Sequence, residues 1–386
     1  MKTVGIVCEY NPFHRGHGQQ FAGIRQALGE ETAIVCAMSG NFVQRGAPAI
    51  FHKSVRARAA VMAGADLVLE LPVTHVLDSA EGFAAGGVRV LAGVCDTLCF
   101  GSESADREGL IRTAELLLTE AFSLRVREEL QRGISFPAAR AAALGALGGD
   151  PGLISRPNDI LAVEYCKAVL RECPDMTLMP IHRPGDYHAT QAEKEAPSAT
   201  AVRKRILARD DWLELVPEQT RKVQSGAAVH ALEAGERAVL ARLRTMSEEE
   251  FAALPFGSEG LWRKFMHASR REDTLEAVIA ATKSRRYTRS RLDRMVMCAF
   301  LGLTAQTMAQ EPPYVRVLAF SDRGRALLRE QKKARRAFLN PGERWEDPYW
   351  TLESRCGDLY GLFAVGTPEA PGSEERCRVF YRQDTE

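Results

Sequence analysis

Two histidines separated by an arginine and a glycine carry the clearest chemical signal: His14-Arg15-Gly16-His17, inside Glu9-Tyr10-Asn11-Pro12-Phe13-His14-Arg15-Gly16-His17. The segment directly follows a short apolar run, Val4 to Cys8, and leads into a helical stretch from Gly16 to Leu28. A loop at the C-terminal end of a parallel strand is where open α/β sheets bind ligands. The helix start offers unpaired N–H groups and the positive end of its dipole to a phosphate. Gly16 allows a backbone to approach a ligand. Residues three apart share a face on a helical turn, so both imidazoles can donate to phosphoryl oxygens as charge builds in a transition state. The bland alternative is a turn with two solvated histidines.

The elements needed to hold such a loop are legible. Apolar runs at Val4–Cys8, Ala33–Ala37, Asp66–Leu71, Thr97–Phe100 and Thr177–Ile181 alternate with helical stretches at 16–28, 53–63, 80–94 and 159–170. That alternation predicts a parallel sheet with crossover helices. Residues 107–147 read as a purely helical insertion, and 198–207 as one more helix. Past about residue 215 Ala, Leu, Arg and Glu dominate, with Ser247/Glu250 and Asp273/Glu276 spaced as capping boxes. Leu292–Leu303 reads as an apolar helix and Val315–Phe320 as a single strand. The expectation is residues 1–215 as one α/β domain with a helical insertion near 105–150, then a mainly helical domain over 216–386.

Composition narrows the class. The chain has 386 residues, 45% hydrophobic and 26% charged, with 51 Lys+Arg against 50 Asp+Glu. This is a globular balance, and a polycation is excluded. Nine scattered cysteines read as reduced thiols. No run reaches the ~18 apolar residues of a membrane span, and the expected location is the cytoplasm. Cys95 and Cys99 make no zinc site, and no metal set is evident; magnesium is expected only as a companion of ATP.

A local charge exception stands at Lys283, Arg285, Arg286, Arg289, Arg291 and Arg294, with Tyr287 interleaved. Such a cluster in a near-neutral chain reads as a phosphate-binding footprint, with Tyr287 available to stack on a base. Lys332, Lys333, Arg335 and Arg336 form a second cluster. A solvated helix face is the competing reading for both.

The His-x-Gly-His pattern after the first strand resembles the signature of the nucleotidyltransferase superfamily, and Pro197-Ser198-Ala199-Thr200-Ala201-Val202-Arg203 is similar to its second phosphate motif. The ordered series Glu9–His17, Met38–Gly46, Asp66–Pro72, Phe100–Glu103, Arg156–Leu161, Ser198–Arg203 and Lys283–Arg289 narrows the resemblance to the bacterial tRNA(Met) cytidine acetate ligase family. The resemblance implies a Rossmann-like nucleotidyltransferase domain and two steps. Acetate attacks the α-phosphate of ATP to give acetyl-adenylate; the wobble cytidine N4 of elongator tRNA(Met) then takes the acetyl group. No obligate protein partner is implied.

In this resemblance His14 and His17 are catalytic. ATP contacts fall on Val7, Cys8, Glu9, Tyr10, Asn11, Pro12, Phe13, Arg15, Gly16, Gln20, Gly101, Asn158 and Arg183, with Ser198, Thr200 and Arg203 on the β- and γ-phosphates. By position, bracketed by Gly40 and Gly46 at a strand's C-terminal end, Asn41, Gln44 and Arg45 are expected to form a substrate loop, and the basic cluster assigns tRNA binding to Lys283, Arg285, Arg286 and Arg289. Lys53 and Arg56 stand between a substrate role and a solvated helix face. Departures from the family pattern are His52 and Ser54 around Lys53, and Ala189 in a stretch one residue short after Arg183. Two further readings compete: a small-molecule adenylyltransferase, and a non-catalytic nucleotide-sensing RNA binder.

Overall fold

The computed structural model describes residues 1–183, 197–284, 287–333, 337–340 and 342–383. Its centre is a sheet of β1 (Thr3–Cys8), β2 (Ala33–Ser39), β5 (Leu67–Leu71), β6 (Thr97–Ser102) and β7 (Thr177–His182) in the order β5-β2-β1-β6-β7, all parallel. The intervening β3 (Phe42–Val43) and β4 (Ala47–Pro48) form a small antiparallel hairpin, where the sequence reads as a polar loop. β1 lies between β2 and β6, so the chain leaves it in one direction and later returns on its other side. That makes the C-terminal end of β1 the switch point of the sheet.

Both faces of the sheet are covered. In β2, Ala33, Val35 and Ala37 face one apolar core while Ile34, Cys36 and Met38 face the other. The period of two explains why the strand reads as one continuous apolar run. The second core holds Phe21 and Ile24 of α1 (Arg15–Leu28) and Ala57, Ala60 and Val61 of α2 (Lys53–Met62). After the short α3 (Val73–Val76), the first core takes Phe83, Val88 and Leu91 of α4 (Ala80–Leu91). The insertion forms α5 (Arg107–Leu117), α6 (Glu120–Gln131) and α7 (Phe136–Ala146) before α8 (Pro157–Glu172), and α9 (Ala199–Ala208) and α10 (Glu218–Ser225) follow β7.

Residues 218–308 are helical, as composition suggests. The Ser247/Glu250 capping box is present. The Asp273/Glu276 one is not: Thr274 is the N-cap and its hydroxyl accepts from the Ala277 N–H. The chain then crosses back. β8 (Val315–Ser321) pairs antiparallel with β5, β9 (Phe338–Leu339) pairs with β8, and β10 (Phe380–Arg382) adds an outer parallel strand. The single strand read at 315–320 is thus part of the main sheet, and the two later strands carry too few residues to stand out in the sequence.

A buried ionic cluster fastens this return. Lys53 of α2 donates to both Glu70 oxygens at 2.8 and 2.9 Å, and also pairs with Glu374. Arg316 of β8 pairs with Glu70 at 3.2 Å and with Glu374, and lies 3.9 Å from Glu353 of the helix Pro348–Tyr360. Lys53 is therefore neither substrate-facing nor on a solvated face; it is 2% exposed. Glu353 also accepts from the Val73 N–H, while burial and the Glu70 charge push its pKa up to about 7. Removing one member leaves an uncompensated buried charge, a loss of about 3–5 kcal/mol. Arg316→Leu is expected to lower unfolding stability by that order in urea titration; an unchanged midpoint would show that the cluster contributes nothing net.

Candidate active site

His14 is the N-cap of α1, at the switch point. His17, at the third helical position, turns its ring back so that Nδ1 accepts the His14 backbone N–H at 3.2 Å. An accepting Nδ1 places the proton of the neutral ring on Nε2, which is then a donor. The two imidazoles stack, with centroids 3.7 Å apart and planes 24° from parallel. Tyr10 and Phe13 box the His17 ring at centroid distances of 4.8 and 5.4 Å. Both are buried, and the Tyr10 hydroxyl lies 3.3 Å from the Cys36 thiol. Their contribution is to the orientation of His17. At Gly16 a Cβ would lie 3.1 Å from His14 Cε1 and 3.2 Å from Nδ1, so glycine also makes room for the imidazole.

His14 is 3% exposed, yet neither ring nitrogen has a hydrogen-bond partner among the described residues. Burial, then the charges of Arg183 and Arg203, lower its pKa from 6.5 to about 3. Burial and the neighbouring His14 push His17 well below its usual value as well. Both rings are neutral near pH 7. A phosphate arriving beside them opposes these causes and raises both pKa values.

The second motif clamps the first. Ser198 caps α9, accepting from the Ala201 N–H at 3.1 Å. Arg203, one turn on, donates to the Asn11 carbonyl at 2.7 Å and to the Thr200 hydroxyl at 3.1 Å. The Asn11 side chain accepts from the Ile50 N–H at 2.7 Å, and Gln224 of α10 donates to the Phe13 carbonyl at 3.2 Å. Pro12 is buried in the same turn. Arg56, which local sequence leaves ambiguous, is the central tie: it donates to the Glu9 carbonyl at 2.6 Å, to Ser39 at 3.1 Å, to Phe51 at 2.9 Å and to Gly40. Its role is structural, since burial among strand-end carbonyls leaves it no solvated face. No spacing signal marks it, because its acceptors are backbone atoms.

The remaining predicted residues divide by position. Val7 packs on Gly87, Cys8 ends β1, and Arg15 opens α1, all half-buried. Gln20 reaches the Cys99 thiol at 3.8 Å. Gly101 lies under the Arg183 side chain, where a Cβ would meet Cδ at 3.2 Å. Arg183 follows β7 and is exposed. Asn158 donates to Glu103 at 2.8 Å, and the same carboxylate caps α8 through the Asn158 and Asp159 N–H groups; Glu103 is absent from the sequence-based set. Glu9, its pKa raised by burial, accepts from the Gln44 N–H at 2.7 Å. Asn41 turns inward, accepting from the Lys53 N–H at 2.9 Å, while Arg45 is exposed at the hairpin turn. Ala189 and its neighbours, Arg285, Arg286, Arg335 and Arg336 lie outside the described residues.

Lys283 is exposed, but Arg289 pairs with Glu276 and Asp293. Arg291 donates to the Phe256 carbonyl, and Arg294 is buried over the Phe256 ring. Tyr287 is 9% exposed beneath Arg291, which corrects its reading as an open stacking platform. Among the described residues no group of three metal-ligating side chains converges, all nine cysteines are free, and no helix is long and apolar enough to cross a membrane.

The chain that builds this site matches known proteins over most of its length. Residues 1–371 match the HIGH Nucleotidyl Transferase family. A tRNA(Met) cytidine acetate ligase of Acetivibrio thermocellus is 35% identical over 358 residues, covering 86% of each chain. One from Alkaliphilus metalliredigens is 32% identical over 100% of both. The chain belongs to the tRNA(Met) cytidine acetate ligase family. Among solved structures, Thermotoga maritima TmcAL without ligand superposes with a TM-score of 0.90 at 28% identity, and the same protein bound with alpha-thio ATP at 0.87 and 27%, each covering 100% of both chains. The parallel-centred fold expected from the sequence is thus the fold of this family.

Two outcomes are expected. Gly16→Ala should leave stability unchanged or slightly raised, since Ala favours helix over Gly, while a few tenths of an ångström at His14 lower adenylate formation by about fivefold to tenfold; equal activity would show that the ring tolerates displacement. The second concerns acid. A His whose pKa is depressed on folding contributes stability above its unfolded value of 6.5, lost progressively as pH falls toward the folded value of about 3. His14→Asn should therefore lose less stability between pH 7 and pH 5 than wild type in denaturant titrations, and parallel curves would contradict a neutral buried His14.

Proposed function

We propose that this chain activates acetate with ATP and transfers the acetyl group to the wobble cytidine of elongator tRNA(Met), forming N4-acetylcytidine. The observation that carries the chemistry is the stacked, neutral His14–His17 pair at the helix start, with His14 nitrogens unpartnered within the described protein. Its family membership supports the choice of substrates, and an α-thio ATP complex of a structural relative supports ATP as the nucleotide.

In the first step an acetate oxygen bonds to the α-phosphorus and the bond to the bridging oxygen of pyrophosphate breaks. Negative charge grows on the α-phosphoryl oxygens and the leaving group. His17 Nε2–H, aimed by the Nδ1 contact, and His14 donate there, assisted by the free N–H groups of α1. Neutral imidazoles suit this role: they donate without first having to lose a charged hydration shell. Ser198, Thr200, Arg203 and Arg183 are assigned to the distal phosphates and Asn158 and Gly101 to the nucleoside. Magnesium would enter on the phosphates, since the described residues supply no carboxylate cage. In the second step the cytidine N4 attacks the acetyl carbonyl, a proton is lost from nitrogen, and AMP leaves. A tRNA substrate supports a cytoplasmic location.

His17→Ala should reduce acetate-dependent ATP–pyrophosphate exchange by about 10²-fold or more, with ATP affinity changed less than threefold, because its interaction grows in the transition state. A parallel loss of binding would assign it a ground-state role. The deciding assay incubates the protein with ATP, carbon-14 acetate and bulk tRNA. Label in N4-acetylcytidine, absent with His14→Ala, supports the reading; no label in tRNA despite bound ATP points to another adenylyl acceptor or a sensor.

A further inference from the structure

Residues 256–294 carry ten Lys and Arg against five Asp and Glu, in a chain otherwise slightly acidic. Folding redistributes that charge. Arg289 is committed to Glu276 and Asp293, Arg291 to the Phe256 carbonyl, and Arg294 is buried. The helix Leu261–Ser269, some twenty residues earlier, instead exposes Arg263 and Lys264, and neither pairs with a carboxylate among the described residues. Lys264 donates to the Lys283 carbonyl at 3.1 Å, joining this helix to the exposed Lys283. The Arg263 guanidinium lies 4.6 Å from the centroid of the half-buried Trp262 ring, which holds the cation on an aromatic face.

The face is also tied to the catalytic loop. Arg291 fastens residues 256–258 to the helix Arg289–Leu301. Gly46, at φ +74°, lets the β3–β4 hairpin turn press on the Asp293–Arg294 backbone, where any Cβ would collide. The same turn meets Glu9, five residues before His14, through the Gln44 N–H. A chain of contacts therefore connects the histidine loop to the exposed cations.

We infer that the tRNA backbone is gripped by Arg263 and Lys264 together with Lys283, an inference that rests on the tRNA acetylation proposed above. The partner is an RNA rather than an acidic protein, because among the described residues the cations have no carboxylate partner, and they are adjacent and carried beside an aromatic ring, a combination suited to phosphates and stacked sugars or bases. Arg294, buried over the Phe256 ring, is a structural member of the same region.

The test compares wild type with Arg263→Ala/Lys264→Ala for tRNA binding across a salt series and for acetate-dependent ATP–pyrophosphate exchange without tRNA. The expected result is at least a tenfold weaker tRNA affinity, a salt slope shallower by about 1–2, and exchange within twofold of wild type. Unchanged affinity and slope, with wild type binding tRNA, would overturn this face alone. Failure of wild type to bind tRNA at all would remove the acetylation reading on which it rests. Both side chains are exposed, and the exchange activity reports that the variant is folded.

Discussion

The ionic cluster around Glu70 is the constraint on which the molecule's unity depends. One carboxylate at the C-terminal end of β5 receives Lys53 from α2 and Arg316 from β8, and those two cations share Glu374 from the far end of the chain. Buried charges demand partners, so elements hundreds of residues apart are drawn to one point. Gly40, whose Cβ would sit 2.5 Å from a Glu70 oxygen, rests directly on this cluster. The loop that follows β2 therefore inherits its position from the C-terminal segment, and Glu9 inherits its position from that loop through the Gln44 N–H.

Many residues that resemble a ligand-binding set in the sequence also hold two imidazoles in place. Tyr10 and Phe13 box His17; Asn11, Arg203, Gln224 and Arg56 hold the backbone between β1 and α1 by its carbonyls. The separation is physically reasonable. Stabilising charge that develops on phosphoryl oxygens requires donors already in place, and placing two rings needs many more contacts than the rings themselves. Arg203 serves both ends: it clamps the Asn11 carbonyl, while its charge adds to burial and to the Arg183 charge in lowering the His14 pKa.

Sheet strands, crossover helices and the helical insertion were legible because buried parallel strands are continuous apolar runs and helices keep their own period. The His-x-Gly-His loop was legible because its residues are contiguous. β9 and β10 were not, being two or three residues long and recognisable only by what they pair with. The basic cluster shows the limit most clearly. Proximity in sequence puts Arg289, Arg291 and Arg294 together as one charged patch, whereas Arg294 is buried, Arg291 is spent on the Phe256 carbonyl, and Arg289 stays exposed in ion pairs with Glu276 and Asp293.

By itself the sequence determined the α/β architecture, the His-x-Gly-His motif and its placement after the first strand, since each depends on local periodicity or on neighbouring residues. Tertiary structure alone decided that Lys53 and Arg56 are internal ties, that Gly16 serves the His14 ring, that Asn158 answers to Glu103, and that the C-terminal strands complete the first sheet. Those outcomes rest on long-range desolvation and pairing: whether a charge meets water, a carbonyl or a carboxylate is set by elements that the local sequence does not contain.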